Sequence, residues 1–516
     1  MAKTQYIMRK IFFICSILFF STLFFIACED KDNEKETNTG GGGTAGLSDN
    51  AYNNRWIYSK MKSMYLWNDE LPSKPDYEMD SEKFFKSVLY NYGNINGDRF
   101  SWIEKDDEKG AKTLYGSAEL GFDYIPSAFF VTEEDQYSSI GFFIISVNKG
   151  SDAEAKGLKR GDVIFAVDEK LITSSNYSTI LDNSTFKLSI YNKQGEQETL
   201  APITRSSTSD QSPLFISKVL DEYPGIGYLM YNAFERGIGE GVDRYKYDIE
   251  LLNSISDLKN QGISDLIIDL RYNLGGYVTS ATNLASSLVS DDKNGQVFAI
   301  EKYNTHFQDS LVNRYGEDFI YDYFLDKAYG GNTKIPKLNL KRIYIIASEY
   351  TASASELIIN GLKPHMEVIQ IGGTTVGKDK GSINIKSSDD DRIIWSLQPL
   401  VLRITNANGE GNYINGIAPT SGYEMDEWEE GYEMVEAYAS GSSTPVYVPI
   451  LSTWKGGFGE LGTLSDPLLA LAVSSIRNQS PSKRNGIMNT KTKTILGSIP
   501  NVRNIREDRF RMIVDK

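Results

Sequence analysis

The sequence predicts an α/β chain of several domains, and three observations carry that prediction. At 516 residues and 40% hydrophobic, the chain exceeds what one ordinary core accommodates, so two or three domains are expected. From residue 206 to 476, apolar strand runs alternate with helical periodicity, the pattern of a sheet with crossover helices. Upstream lie a short aromatic helical region and then a series of short alternating strands. The expected boundaries are a leader at 1–27, a tether at 28–49, a small helical domain at 50–104, a β-rich domain at 105–205, an α/β core at 206–476 and a C-terminal extension at 477–516.

In the leader, Lys3, Arg9 and Lys10 precede the uncharged run from Ile11 to Ala27, which stops at a small residue before Cys28. A basic start, an apolar stretch and a small residue at the cleavage point form a signal-peptide pattern. "FFIAC" resembles a bacterial lipobox, which implies cleavage before Cys28 and attachment to a membrane through lipid on that cysteine. Cys15 and Cys28 are the only cysteines, so the exported domains carry no disulfide and rely on packing. The chain has a formal charge of −15, and loss of the leader removes three basic groups, so nucleic acid is excluded as a partner class. "CEDKDNEKETNTGGGGTAGLS" mixes charge with a glycine tract and has little to bury, which makes it a flexible tether. Its acidic residues resemble the signal that sends some Bacteroidetes lipoproteins to the outer leaflet. The resemblance implies an outer-membrane lipoprotein, periplasmic or surface-exposed.

Between Tyr52 and Asn68, Trp56, Ile57, Met61, Met64 and Tyr65 recur at helical spacing until Leu71-Pro72 interrupts them, and a second helix follows near Phe84 to Tyr90. These aromatics form the core of the helical domain. Next come "ELGFDYI", "SAFFVTEE" and "SIGFFIISV", strand-like runs that lead into "GSDAEAKGLKRGDVIFAVD". There Ser151 to Lys156 reads as a short helix, Gly157 and Gly161 allow positive φ, and Val163, Ile164, Ala166 and Val167 form the next strand. This segment resembles a PDZ domain. The resemblance implies that Leu120, Gly121 and Phe122 stand at the loop whose backbone N–H groups take a peptide's terminal carboxylate.

In the core, Leu251, Leu252, Ile255 and Leu258 line one face of a helix expected over 248–261, with Gly262 at its C′ position, before the strand Leu266 to Leu270. A second apolar run, Ile343 to Ala347, exits through "EYTASASELI". Thr351 or Ser353 there has two readings: a helix cap, or a nucleophile at a helix N-terminus, where backbone N–H groups favour an oxyanion. A serine nucleophile needs a base. The two histidines, His306 in "KYNTHFQDS" and His365 in "GLKPHMEVI", arrive without an orienting carboxylate and read as surface residues. Lysine serves when burial disfavours its ammonium form, and "GGTTVGKDKGS" supplies Lys378 and Lys380. Two charges in a glycine loop also fit a solvated turn.

"TASASE", "VGK" with Lys378 25 positions after Ser353, and upstream "DLRYNLGG" together resemble the C-terminal processing peptidases, Ser/Lys peptidases with a PDZ domain. "GDRFSWI", "NGIAPT" and "DPLLALA" extend the resemblance over roughly residues 50 to 476. It implies an α/β core of the crotonase-like, ClpP-like kind, protein or peptide substrates, and neither cofactor nor metal. Ser353 matches the nucleophile and Lys378 the general base. The Ala354 N–H would donate to the oxyanion, with a second donor from Gly275 or Gly276, Gly275 being favoured. Ser355 and Lys380 are out of register with the family spacing. Many members place a glutamine four residues after the lysine, where Ser382 stands here, so Lys378 would depend on Ser382 or another group for support. Asp379 is expected to face solvent, since turned inward it would hold the base protonated. Two other classes stay open: a surface lipoprotein that binds peptides without cutting them, and a binder of hydrophobic small molecules.

Overall fold

A computed structural model describes residues 46–105, 120–206, 211–237, 241–439, 445–478, 489–495 and 511–514. The leader, Cys28 and nearly all of the tether lie outside these residues. Helix α1 (Asp49–Met64) is capped by Ser48, whose side chain accepts from the Ala51 N–H, and α2 (Ser81–Ser87) by Asp80. Both begin a few residues before the apolar periodicity does, because the cap and not the first buried residue sets a helix start. Ile57, Met61, Tyr65, Phe84 and Phe85 form a cluster that also takes in Ile385 and Leu397 from the far end of the core. The helical region therefore shares its core with the sheets behind it. Strand β1 (Trp102–Lys105) follows and carries this region onto the core sheets.

The β-rich domain has the strand order β2 (Phe122–Phe129), β3 (Ser139–Val147), β4 (Val163–Val167), β5 (Leu188–Tyr191) and β6 (Gln197–Thr199), each antiparallel to its neighbour. Ser151 caps the short helix Asp152–Ala155, and Gly157 and Gly161 take φ of 89° and 88° in the turns around it. These are the positions where the sequence calls for glycine.

The α/β core is built on a five-stranded sheet. The hairpin β7 (Leu214–Leu220) and β8 (Tyr223–Tyr231) leads to parallel strands β9 (Asp265–Asp269), β13 (Arg342–Ala347) and β14 (Glu367–Gly372). Strand alternation explains why these runs are apolar throughout. Ile343 and Ile345 enter the cluster beneath α3 (Lys246–Asn260) and α4 (Val278–Leu288), while Tyr344 and Ile346 enter the opposite one, covered by α8 (Pro467–Ile476). Each fully buried Leu or Ile there contributes about 1.5–3 kcal/mol. A second sheet packs against the first, with the order β10 (Gly275–Tyr277), β21 (Arg511–Ile513), β15 (Lys380–Ser382), β17 (Leu400–Asn406), β11 (Val297–Tyr303) and β12 (Tyr321–Tyr323). Strand β16 (Trp395–Gln398) precedes β17 and pairs with β1, Trp102 standing opposite Gln398. Part of the C-terminal extension, unassigned from sequence, thus lies inside the core sheet.

One buried ion network joins the β-rich domain to the core. Arg160, from the turn before β4, donates to Glu427 (2.7 Å), to the Tyr272 hydroxyl (2.8 Å) and to the carbonyls of Ile145 and Gly459. Glu427, in the short helix α7 (Glu427–Gly431), also accepts from Arg271 at 3.0 Å, and Arg271 pairs with Asp269 (2.6 Å) and Asp466. Burial pushes the Glu427 carboxyl up, but Arg160 and Arg271 more than reverse it, holding it below the usual range.

Candidate active site

Strand β13 ends at Ala347 and α6 (Ala354–Leu362) begins seven positions later, with Ser353 as its N-cap. The corner between them is bolted to the loop after β9. The Thr351 hydroxyl donates to Leu270 O (2.8 Å), the Ala352 N–H to Asn273 O (3.1 Å), and the Ser355 hydroxyl to the same carbonyl (3.1 Å). Ser353 itself sits at φ 64° and ψ −115°, a conformation unfavourable for a residue with a Cβ, held by its surroundings as functional corners are. Its Oγ is buried and without a hydrogen-bond partner among the described residues. The contrast separates the two serines: the Ser355 hydroxyl is engaged, the Ser353 hydroxyl is not.

Glu356 is the residue that sequence reading overlooked. It is buried at the third position of α6, and its carboxylate accepts from the Ser353 N–H (2.6 Å), the Lys378 N–H (2.8 Å), the Gly377 N–H (2.6 Å) and the Thr375 hydroxyl (2.5 Å). Ser353 and Lys378 share a single oxygen of it, Oε2. The nucleophile corner and the lysine loop are thereby tied together through one group. Burial pushes this carboxyl above its usual range, against the hydrogen bonds that favour its charge. The signal was present in "SASE": a serine followed three residues later by glutamate at a helix start is a capping-box spacing.

Lys378 is fully buried, with Nζ 5.2 Å from the centroid of the Phe100 ring. Phe100 comes from "GDRFSWI" and packs with Leu274, Ala352 and Leu400. The loop can turn the lysine inward because Gly377 takes φ 90°; a Cβ there would lie 2.3 Å from Ile414 O.

Two expectations need correction. Asp379 does not face solvent: it is buried and paired with Lys380, whose side chain is buried as well. The lysine two positions past Lys378 thus neutralises the carboxylate that sequence reading feared beside the base. Gly275 is the less suitable oxyanion donor, since its N–H already donates to Asn273 Oδ1 at 2.9 Å. Its carbonyl accepts from the Phe234 N–H, and the Tyr277 N–H donates to Phe234 O at 2.7 Å. Alternation along the strand turns Gly276 to the opposite side. Gly276 has φ 143°, and a Cβ on it would lie 2.2 Å from Phe234 O.

The other candidates disperse. Ser382 is buried four residues after Lys378, and its hydroxyl accepts from Gln398 Nε2 at 3.0 Å. His306 is exposed on the helix Thr305–Tyr315. His365 contacts Val297 O (3.0 Å) and stands edge-on to Phe324, and burial lowers its pKa. Leu120 and Phe122 pack into the core of the β-rich domain, while Gly121 takes φ 77° and its carbonyl accepts from the Asn148 N–H.

Comparison with known proteins shows what this corner is similar to. Residues 225–421 match the model described as Peptidase family S41, and residues 52–102 the one described as Peptidase S41 N-terminal domain. The core is thus similar to the S41 peptidases over those residues. The chain is 24% identical over 335 residues to the carboxy-terminal processing protease CtpA of Bacillus subtilis (strain 168), covering 62% of this chain and 60% of that one. It is 23% identical over 365 residues to CtpB of the same organism, covering 68% and 65%. The chain therefore spans less than two thirds of the length of these relatives. A solved structure of a Bacteroides fragilis NCTC 9343 protein assigned to the S41 proteases is similar with a TM-score of 0.62 and 26% identity, over 82% of this chain and 97% of that one. Ser353, Glu356, Lys378 and the glycine pair all fall inside the S41 match.

Proposed function

We propose that this chain is a serine endopeptidase that cleaves protein or peptide substrates through a Ser353/Lys378 dyad. The observation that carries the reading is the Glu356 carboxylate, which binds the backbone N–H of both residues while Ser353 Oγ is left without a partner. Ser353 Oγ adds to the scissile carbonyl as Lys378 Nζ takes its proton. The N–H groups of Ala354, at the start of α6, and Gly276 receive the oxyanion. Lys378 then passes the proton to the leaving amine, giving an acyl-enzyme, and activates the water that releases it. Desolvation favours the neutral amine this cycle requires.

Ser382, with Gln398 behind it, supports the lysine in place of a glutamine on the same strand. The β-rich domain is a PDZ-like module whose Leu120-Gly121-Phe122 turn receives a substrate tail, and the Arg160 network couples it to the core. Lipid on Cys28 holds the enzyme at the cell envelope.

Ser353→Ala and Lys378→Ala should each reduce cleavage of an unfolded protein by about 10³-fold or more while the urea midpoint stays within experimental scatter. A fluorophosphonate probe should label the unaltered chain and not Ser353→Ala. Undiminished turnover in either variant rejects the dyad and leaves a peptide-binding lipoprotein.

A further inference from the structure

The second sheet has an unusual member between the two strands that flank the dyad. β10 carries the glycine pair, β15 begins two positions after Lys378, and the strand separating them is Arg511–Ile513. It runs parallel to both, with Gly275 opposite Arg511, Gly276 opposite Met512, Tyr277 opposite Ile513, and Ser382 opposite Ile513. The next residue closes the lane, since the Val514 N–H donates to Ser382 O at 3.1 Å. The Val514 side chain is buried among the main core residues, over Gly381. A Cβ on Gly381 would lie 3.0 Å from Val514 Cγ2 and 2.9 Å from Leu402 Cδ1, so the glycine makes the pocket.

We infer that this lane is a binding site for one extended peptide with a β-branched aliphatic side chain in the Gly381–Leu402 pocket, and that Arg511–Val514 is its resident occupant, competing with substrate. The inference rests on the peptidase reading for the identity of the competitor. Three points support it. The inserted strand is only three residues long, as are β10 and β15, so few backbone pairs hold it in the lane. Gly276, the proposed oxyanion donor, is turned toward it. The two edges it pairs with, β10 and β15, carry the glycine pair and lie just after Lys378, and an extended strand is what satisfies such edges.

The test uses the full chain with Val514→Asp, which places a charge in an apolar pocket and disfavours the docked strand. The initial rate on an unfolded protein substrate should rise about three- to tenfold. The synthetic peptide DRFRMIVDK, residues 508–516, should inhibit that variant competitively, raising KM without changing kcat, and should bind the Ser353→Ala/Val514→Asp chain by fluorescence anisotropy. A folded Val514→Asp chain with an unchanged or lower rate and no peptide binding overturns the inference and leaves the peptidase reading intact. If Val514→Asp fails to fold, the strand is a structural part of the core and the inference is equally overturned. If neither chain labels with fluorophosphonate, the peptidase reading fails, and the anisotropy measurement still decides whether the lane binds peptide.

Discussion

The loop from Asp269 to Gly276 separates two polar regions built on opposite principles. On one side Asp269, Arg271 and Tyr272 enter a network in which buried cations and carboxylates answer one another. On the other side the Asn273 carbonyl accepts from the Ala352 N–H and the Ser355 hydroxyl, either side of Ser353, whose own hydroxyl is buried and unanswered among the described residues. One region is electrostatically closed, the other held open by a strained backbone and by Glu356. The difference teaches where each side chain's energy goes: saturated charge fixes the position of the loop, and the unsaturated hydroxyl beside it is the group the proposed reaction would use.

Breaking the closed side should give the largest effect. Arg271→Met leaves Asp269, Asp466 and Glu427 buried with Arg160 as their remaining cation, and removal of one partner from such a cluster costs about 3–5 kcal/mol. A urea titration should show the loss, with activity falling only as the folded fraction falls. A stability unchanged within 1 kcal/mol (about one bond's net worth) would mean that the network adds little.

Asp248 lies between the two extremes. It is buried in the first turn of α3, and burial pushes its carboxyl up to about 7, against Ser280, Arg236 and Asn283 beside it. The folded pKa lies above the unfolded one, so the folded chain binds the proton more tightly. That contribution is complete below the ordinary carboxylate range and is lost as the pH rises through about 7. Asp248→Asn should therefore leave stability near pH 4 unchanged and raise it at pH 8 by roughly 2–4 kcal/mol. Parallel pH dependences of unfolding in the two chains would reject this assignment.

On the open side, Glu356→Gln keeps the shape but turns one acceptor into a donor facing N–H groups. Its effect should fall on kcat, about 30–100-fold or roughly 2–3 kcal/mol, with KM little changed. Equal losses in kcat and in folded fraction would make Glu356 a helix cap and nothing more.

These regions differ also in how far the sequence revealed them. Ser353, Lys378 and the glycine pair could be singled out because small residues at a strand-to-helix corner and glycines around a lysine limit what the backbone can do. The apolar strands Leu266–Leu270 and Ile343–Ala347 were legible for the same reason: a run buried on both faces has few other readings. Glu427 and Asp466 were not, because each lies more than 150 residues from Arg271 and no local pattern marks a long-range ion pair. The burial of Asp379 was misread since its partner, Lys380, appeared only as a rival base. The place of Arg511–Val514 depends on a gap between β10 and β15, which exists only once the second sheet has formed.

The finest distinction concerns Ser382, where the comparison between saturated and open groups meets inside one hydroxyl. Gln398 reaches it from β16, a strand that pairs with β1 and so with the segment carrying Phe100. An amide arriving from another strand can do what a longer side chain at 382 would do, namely keep the lysine's surroundings fixed. Gln398→Ala should lower kcat/KM about 3–10-fold, near 1 kcal/mol, and move the acidic limb of the pH–rate profile, because a less well held amine is more readily rehydrated and protonated. Adding Ser382→Gln to that variant returns an amide to the lysine's side of the sheet and should restore both the rate and the profile. A packing role alone predicts the rate loss without the shifted limb, and no rescue by the second substitution.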